Sequence, residues 1–426
     1  MNTESTDCND GSPTRSSFFY GWVIVAACAV LLIVSAGLTF SFGVLFKPIV
    51  ADFGWSRAAT SGVYSIRLLI QAVSALPLGW LADRYGPARV MIFCALMVGL
   101  GMVLTSQINA LWQLYLTYGL IFGIGTSGGF AITSATTARW FVRRRGLALG
   151  VMSSGVGLGT LAIVPITERL IDAFDWSRAC LILGIAAGVV MIAGALLLRR
   201  SPEDIGQRPY GMKELVLHPG ESNVSGTKPI APETDISLRG AVRTKPLWML
   251  VFVYFLFAVS LNMVMLHLVN YATDLHISSL MAATFVSVVG ASGIVGRLAM
   301  GTASDRIGGD KALAICCAIL AVTLVWLIFS REPWMFYLFA VVFGFAYGGE
   351  IPQIPALIGR FFGLRALAAL VGTVVAAASI GGALGSWLGG QIFDATGSYQ
   401  VAFVIAALAA LCSLVITLML KKQNSP

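Results

Sequence analysis

Arg67, His267, Arg297 and Glu350 are ionisable side chains set inside apolar runs of this sequence. A charge at the centre of a bilayer costs at least about 2.5–3.5 kcal/mol, so it faces a cavity or a partner. Arginine stays ionised, and its planar fork grips a carboxylate through two parallel hydrogen bonds. In "SGIVGRLAMG" (292–301), Arg297 follows Gly290, Gly293 and Gly296, which leave room beside the guanidinium. It is the leading candidate to hold an anionic substrate; the competing reading is a snorkelling or salt-bridged arginine. Glu350, in "FAYGGEIPQIP", is the candidate proton carrier, because a carboxylate short of water can take up and release a proton near neutral pH. The competing reading pairs it permanently with Arg297 or Arg67. Tyr347 lies three residues before Glu350 on the same helix face. Arg67 reads as a second anion contact, a gate, or a plain ion pair. His267 titrates in the useful range, and is either a substrate or proton contact or a satisfied core histidine. Asn262 and Tyr118 offer neutral hydrogen bonds to a substrate; the alternative for Tyr118 is interfacial anchoring.

These residues need elements to hold them. The chain has 426 residues, 57% of them hydrophobic and 11% charged, with a mean hydropathy of +0.84. Soluble domains carry about 25% charged residues. Spanning a bilayer as a helix takes roughly 20 mostly apolar residues. Twelve such stretches are predicted, at about 20–46, 59–82, 88–107, 112–138, 146–168, 178–198, 247–272, 280–303, 313–330, 334–357, 366–391 and 399–420. Arg297 falls about six residues, or roughly 9 Å, past the centre of the eighth. The first stretch is too long for a cleaved signal peptide.

Basic residues set the orientation. With the N-terminus inside, the inner segments hold Arg15, Arg84, Arg89, Arg139, Arg143 to Arg145, the basic residues from Arg199 to Lys245, Arg306, Lys311, Arg360, Arg365, Lys421 and Lys422. The outer segments hold only Lys47, Arg57, Arg169, Arg178 and Arg331. Both termini are therefore expected in the cytoplasm, with the chain in the cytoplasmic (inner) membrane. The net charge of +8 follows from this bias and from attraction to anionic lipid, so no nucleic-acid partner is expected. Six of the seven cysteines lie in apolar stretches, without zinc-type spacing to histidine. No metal or other cofactor is expected. With three dispersed histidines, nothing resembles a catalytic triad or zinc centre, and the chain is not expected to be an enzyme.

The chain repeats itself. "GWLADRYGPAR" (79–89) matches "GTASDRIGGDK" (301–311) at an offset of 222, so Gly79, Asp83, Arg84 and Gly86 fall on Gly301, Asp305, Arg306 and Gly308. "FGIGTSGGFAITSATTARWF" (122–141) matches "FGFAYGGEIPQIPALIGRFF" (343–362). The predicted layout is a disordered tail (1–17), a six-helix half (18–199), a polar cytoplasmic linker (200–246), a second six-helix half (247–422) and a short tail (423–426). Two parallel repeats imply a substrate site near the bilayer midplane between the halves. Scaffold residues recur in both halves, whereas cargo-specific ones need not. Arg297 aligns with Ala75, Glu350 with Gly129 and Arg67 with Val289, so all three break the symmetry. In the repeated motif, Asp83 and Asp305 sit where a carboxylate can meet a helix N-terminus, and Arg84 and Arg306 where a guanidinium can meet a carboxylate. All four are candidates for a conformational latch; the plainer reading is that the arginines only hold the loops inside.

"GWLADRYGPAR" resembles the loop signature of the major facilitator superfamily, with a weaker copy at 301–311, and the resemblance covers residues 18–422. "FYGWVIVAACAVLLIVSAGLTFSFGVLFKPIVADFGWSR" (19–57), "RRSPEDIGQRPYG" (199–211) and "HLVNYATDLHIS" (267–278) resemble the monocarboxylate transporter and oxalate:formate antiporter group. The resemblance implies an all-α integral membrane fold of twelve transmembrane helices, working by alternating access. It also implies a substrate-binding arginine at the position of Arg297. Two features depart from it. Gly293 stands where many monocarboxylate transporters have an aspartate, and "GTVVAAASIGGALGSWLGGQIF" (372–393) lacks the lysine of the oxalate antiporter. A single cavity cation suits a monoanion such as lactate or pyruvate. The expected function is transport of a small monocarboxylate with a proton, by a monomer; the alternatives are an anion exchanger, another exporter on this fold, or a nutrient sensor that does not transport.

Overall fold

The computed structural model describes residues 19–55, 57–212 and 236–422. The expected tails at 1–17 and 423–426, and residues 213–235 of the expected linker, lie outside the described residues. Twelve helices long and apolar enough to cross a membrane follow one another. They are α1 (Gly21–Phe53), α2 (Arg57–Tyr85), α3 (Pro87–Thr105), α4 (Leu111–Trp140), α5 (Arg145–Ala173) and α6 (Trp176–Leu196) in the first half. The second half holds α7 (Lys245–Asp274), α8 (Ser279–Ile307), α9 (Gly309–Phe329), α10 (Pro333–Phe362), α11 (Leu367–Thr396) and α12 (Gln400–Lys422).

The repeated motif is more helical than its sequence indicates. Asp83 and Arg84 lie in the last turn of α2, and Asp305 and Arg306 in that of α8. The reversals come one step later, at Gly86 (φ 94°) and Gly308 (φ 92°). Both adopt a left-handed conformation that costs glycine little and other residues more. Pro87 then starts α3 with φ already set for a helix.

Two helices depart from α geometry. Residues Tyr115–Phe122 of α4 form a π-helical stretch. In α10 the α-helix stops at Glu350 and resumes at Gln353. Pro352 lies in the gap, and Pro355, which lacks an N–H, follows it.

The halves meet through two matching seams. Across the first, α2 packs on the start of α11. A Cβ on Gly372 would sit 2.6 Å from the carbonyl oxygen of Ala75, and Gly79 lies against the carbonyl of Ala368. Asp83 accepts the N–H groups of Ala368 (3.3 Å) and Ala369 (2.9 Å). Across the second, α8 packs on the start of α5. A Cβ on Gly150 would sit 2.5 Å from the carbonyl oxygen of Arg297, and one on Gly301 2.5 Å from that of Gly146. Asp305 accepts the N–H groups of Gly146 (2.7 Å) and Leu147 (2.9 Å). Every participant is related to its counterpart by the same offset of 222: 75, 79 and 83 to 297, 301 and 305, and 146, 147 and 150 to 368, 369 and 372. Each seam runs along the half of its helices that carries the basic loops, so the bundle is closed at that end. Gly290, in the other half of α8, has open space beside it.

Residues 199–211 fold back over the first half. The N–H of Tyr210 donates to Trp140 O (2.9 Å), and Tyr210 O accepts from the N–H groups of Val142 (3.1 Å) and Arg143 (3.0 Å). Arg200 donates to Asp83 O (2.7 Å).

Candidate functional site

Arg297 lies on α8 four residues past Gly293, the centre of the 29-residue helix, or about 6 Å toward the basic end. It is thus nearer the centre of its helix than the predicted span placed it, because α8 continues through the loop motif. The side chain is 1% exposed. One guanidinium nitrogen, Nη2, donates to the Tyr347 hydroxyl of α10 (3.1 Å), and the guanidinium carbon stands 5.4 Å from the centre of that ring. Nη1 lies toward α5, 3.1 Å from where a Cβ on Gly157 would sit. Glycine at 157 leaves the guanidinium space at the boundary between the halves. Nε has no hydrogen-bond partner. Among the described residues no carboxylate lies within salt-bridge distance of Arg297. The Tyr347 ring also stacks on Phe257 of α7 (6.4 Å, 16°). Helices α5, α7, α8 and α10 thus meet around one buried cation.

The other predicted residues are placed apart from this centre. Glu350 is fully buried at the break in α10, and neither carboxylate oxygen has a hydrogen-bond partner. It lies beside Cys317 of α9 and Tyr254 of α7, whose hydroxyl donates to the Glu350 carbonyl (2.9 Å). Glu350 therefore faces the interior of the second half, and no ion pair joins it to Arg297 or Arg67. Arg67 is 3% exposed on α2, donates to Thr126 of α4 (3.3 Å) and stands 4.9 Å from the Tyr64 ring. Tyr118 is buried between α4 and α1. Its hydroxyl reaches the carbonyls of Leu38 (3.3 Å) and Thr39 (3.2 Å), and its ring packs on Phe42 and Phe122. His267 bonds Ser386 O of α11 (3.1 Å) and packs on Tyr399 at the start of α12. Asn262 donates to Ala258 O (3.0 Å) and lies against Gly382 of α11. Of the sequence candidates, the structure joins Tyr347 to Arg297 and leaves the rest in other contacts.

At the closed end, Asp83 also takes a 2.5 Å ion pair from Arg139 of α4, which reaches across to Leu364 O as well (3.1 Å). Arg139 has no place among the sequence candidates, because its basic cluster reads as positive-inside anchoring. Arg84 stacks on Trp80 (5.3 Å) and Tyr85 (5.4 Å), and Arg306 is exposed. The two aspartates, rather than the adjacent arginines, make the bonds between halves. Five cysteines of the apolar stretches are buried, whereas Cys412 faces outward.

A family model for the Major Facilitator Superfamily matches residues 27–330 and 260–426. Monocarboxylate transporter 13 of Rattus norvegicus is 30% identical, over 91% of this chain and 86% of that protein. Monocarboxylate transporter 12 of Homo sapiens is 26% identical, over 93% and 80% respectively. Among solved structures, the fucose:proton symporter of E. coli superposes with a TM-score of 0.68 at 15% identity, covering 94% of this chain and 99% of that one. The human organic anion transporter MFSD10 does so with a TM-score of 0.69 at 15% identity, over 94% and 98%. The twelve-helix fold, its two matched seams and these similarities agree: the chain is a multi-pass membrane transporter that belongs to the Major Facilitator Superfamily and is related within it to the monocarboxylate transporters.

Proposed function

We propose that the protein carries a small monocarboxylate, of the lactate or pyruvate kind, across the cytoplasmic membrane together with a proton. The observation that supports this most directly is Arg297: a buried cation at the boundary of the halves, with a free Nε and no carboxylate beside it. A buried charge left without a counter-charge is costly. A substrate carboxylate supplies that charge and accepts the guanidinium fork, with Tyr347 holding Nη2 in place. The names of these relatives point to the same substrate class.

Glu350 carries the proton. An ionised Glu350 has no partner for its charge in the closed surroundings described above, so proton release awaits a rearrangement around the break in α10. A monoanion moving with one proton carries no net charge, so transport follows the pH gradient and ignores voltage, which otherwise contributes about 2.3 kcal/mol per charge per 100 mV. Both termini lie in the cytoplasm and the monomer is the working unit. Asp83 and Asp305 latch the cytoplasmic end shut.

The test is uptake of radiolabelled L-lactate into proteoliposomes with an inward proton gradient and voltage clamped, for the wild type and Arg297→Lys. Lysine keeps the charge but loses the bidentate fork. Gradient-driven uptake by the wild type that disappears in the variant is the expected outcome. Uptake preserved in Arg297→Lys would remove the arginine from the substrate site. Uptake only when a counter-anion is loaded on the far side would replace symport by exchange.

A further inference from the structure

At the end of the second half where α7 begins and α12 ends, a cleft of about 840 Å³ opens on the outer surface of the bundle. Its walls are Trp248, Met249 and Phe252 of α7 with Ile416 and Met419 of α12, and its rim carries Arg243 and Lys245. Trp248, Phe252 and Met419 are more than half exposed, and both rim cations are exposed. Neither cation is in an ion pair among the described residues. Apolar walls at membrane depth, capped by cations at the inner boundary, match one kind of ligand.

The first half differs at the corresponding place. There the chain itself covers the corresponding gap between the start of α1 and the end of α6. The Tyr20 hydroxyl donates to Leu197 O (3.0 Å), and its backbone N–H donates to the Gln207 side chain (3.2 Å). The 199–211 segment lies over this junction. The two halves are otherwise matched position for position along their seams, so the open cleft in the second half is a difference in what fills the gap.

We infer that this cleft binds one anionic phospholipid of the inner leaflet, with an acyl chain between α7 and α12 and its phosphate on Arg243 and Lys245. The charge complementarity selects the lipid class: a Lys or Arg near an anionic headgroup contributes about fivefold in affinity, hence about thirtyfold for two. The indole N–H of Trp248 is already bonded to Val242 O (2.8 Å), which ties the short helix Leu238–Val242 to α7. The lipid therefore anchors the point where the inter-half connection enters the second half.

The experiment is native mass spectrometry of the full-length, delipidated protein, titrated with phosphatidylglycerol and phosphatidylcholine of identical acyl chains. The expected result is one preferred phosphatidylglycerol in the wild type, with the preference falling about thirtyfold in Arg243→Gln/Lys245→Gln. Size-exclusion and circular dichroism profiles matching the wild type show that this variant is folded. In parallel, phosphatidylglycerol brominated on its acyl chains is expected to quench tryptophan emission less in Trp248→Phe than in the wild type. Equal affinity for the two lipids, an unchanged preference in the double variant, or identical quenching in Trp248→Phe would each overturn the inference. So would lipid binding that appears only when residues 213–235 are replaced by a Gly–Ser linker, which would put that segment in the cleft instead.

Discussion

Replacing Asp83 and Asp305 by asparagine tests whether the two seams hold shut the end that carries the basic loops. Each carboxylate accepts two backbone N–H groups at the first turn of a helix in the opposite half, at 2.7–3.3 Å. Hydrogen bonds to a charged group contribute about 1.5–3 kcal/mol net, and a carboxylate at a helix N-terminus adds to this through the helix dipole. Asparagine keeps one acceptor oxygen but presents an NH2 group to the second N–H, so each substitution should cost the closed state about 2 kcal/mol, or about thirtyfold. The sites lie on separate seams and share no partner, so their effects should add, giving roughly a thousandfold in the double variant. These bonds break when the halves separate at this end, so the loss falls on one conformation only. Spin labels at Gln107, between α3 and α4, and at His276, between α7 and α8, would report the opposite end by double electron–electron resonance. The double variant should shift population toward a shorter distance there, as the end with the basic loops opens and the opposite end closes. A shift of that size brings even a thousandfold preference to near parity. A distance distribution unchanged in Asp83→Asn/Asp305→Asn would show that neither aspartate holds the state, and the seams would owe their closure to glycine packing alone.

Three further outcomes follow from the same geometry. Tyr347→Phe removes the hydroxyl that accepts from Arg297 Nη2 but keeps the ring over the guanidinium. L-lactate half-saturation in proteoliposomes should weaken about tenfold with the maximal rate little changed. Gly372→Ala places a Cβ 2.6 Å from the Ala75 carbonyl oxygen. It should prevent closure of the first seam, raise labelling of cysteine probes at the end with the basic loops and lower transport by more than tenfold, whereas a wild-type rate would contradict the seam. Glu350→Gln should abolish accumulation driven by a proton gradient while lactate exchange at equal pH persists; retained gradient-driven accumulation would acquit Glu350 of the proton.

The parts of this molecule that depend on local composition are legible in its sequence. Twelve apolar stretches become twelve helices, and the basic loops gather at one end. The errors sit at the ends of helices. The predicted eighth span stops at 303 because "TASDRI" is polar, yet the helix runs to Ile307, since Asp305 is stabilised by another helix's N-terminus rather than by water. That partner lies 158 residues away or more, and no local pattern names it. The chemistry of Asp83 and Asp305 could be read from their type and place, but their partners could not. The π-helical stretch of α4 has no signal in "YLTYGLIF", whereas the break in α10 is announced by Pro352 and Pro355. Tyr347 was found through its spacing from Glu350, yet its hydroxyl meets Arg297 instead. Helix phase gives the face a residue shares, not which neighbouring helix that face meets.

The symmetry of the seams gives Arg297 a meaning beyond a cation in the membrane. In each half, three positions spaced four apart along one helix face pack on the start of a helix in the other half. They are Ala75, Gly79 and Asp83 on α2, and Arg297, Gly301 and Asp305 on α8. At the outermost position both halves carry an aspartate, and at the middle position both carry glycine, as a closing device used twice requires. At the innermost position they differ, alanine in one and arginine in the other, while the facing residue is glycine in both. The Arg297 backbone makes the same close approach to Gly150 that the Ala75 backbone makes to Gly372, so the packing of the seam is kept. What changes is the side chain, which runs on toward Gly157 and Tyr347 instead of ending at a methyl. Under the proposed function, a carboxylate gripped by that side chain is held by the same helix, and the same face of it, that carries Asp305 eight residues away. Any movement of α8 that draws Arg297 toward an anion also moves Gly301 and Asp305 relative to α5. On that reading one helix reports occupancy of the site to its seam without an intervening chain of contacts, and the seam between α2 and α11, lacking the cation, is left to follow.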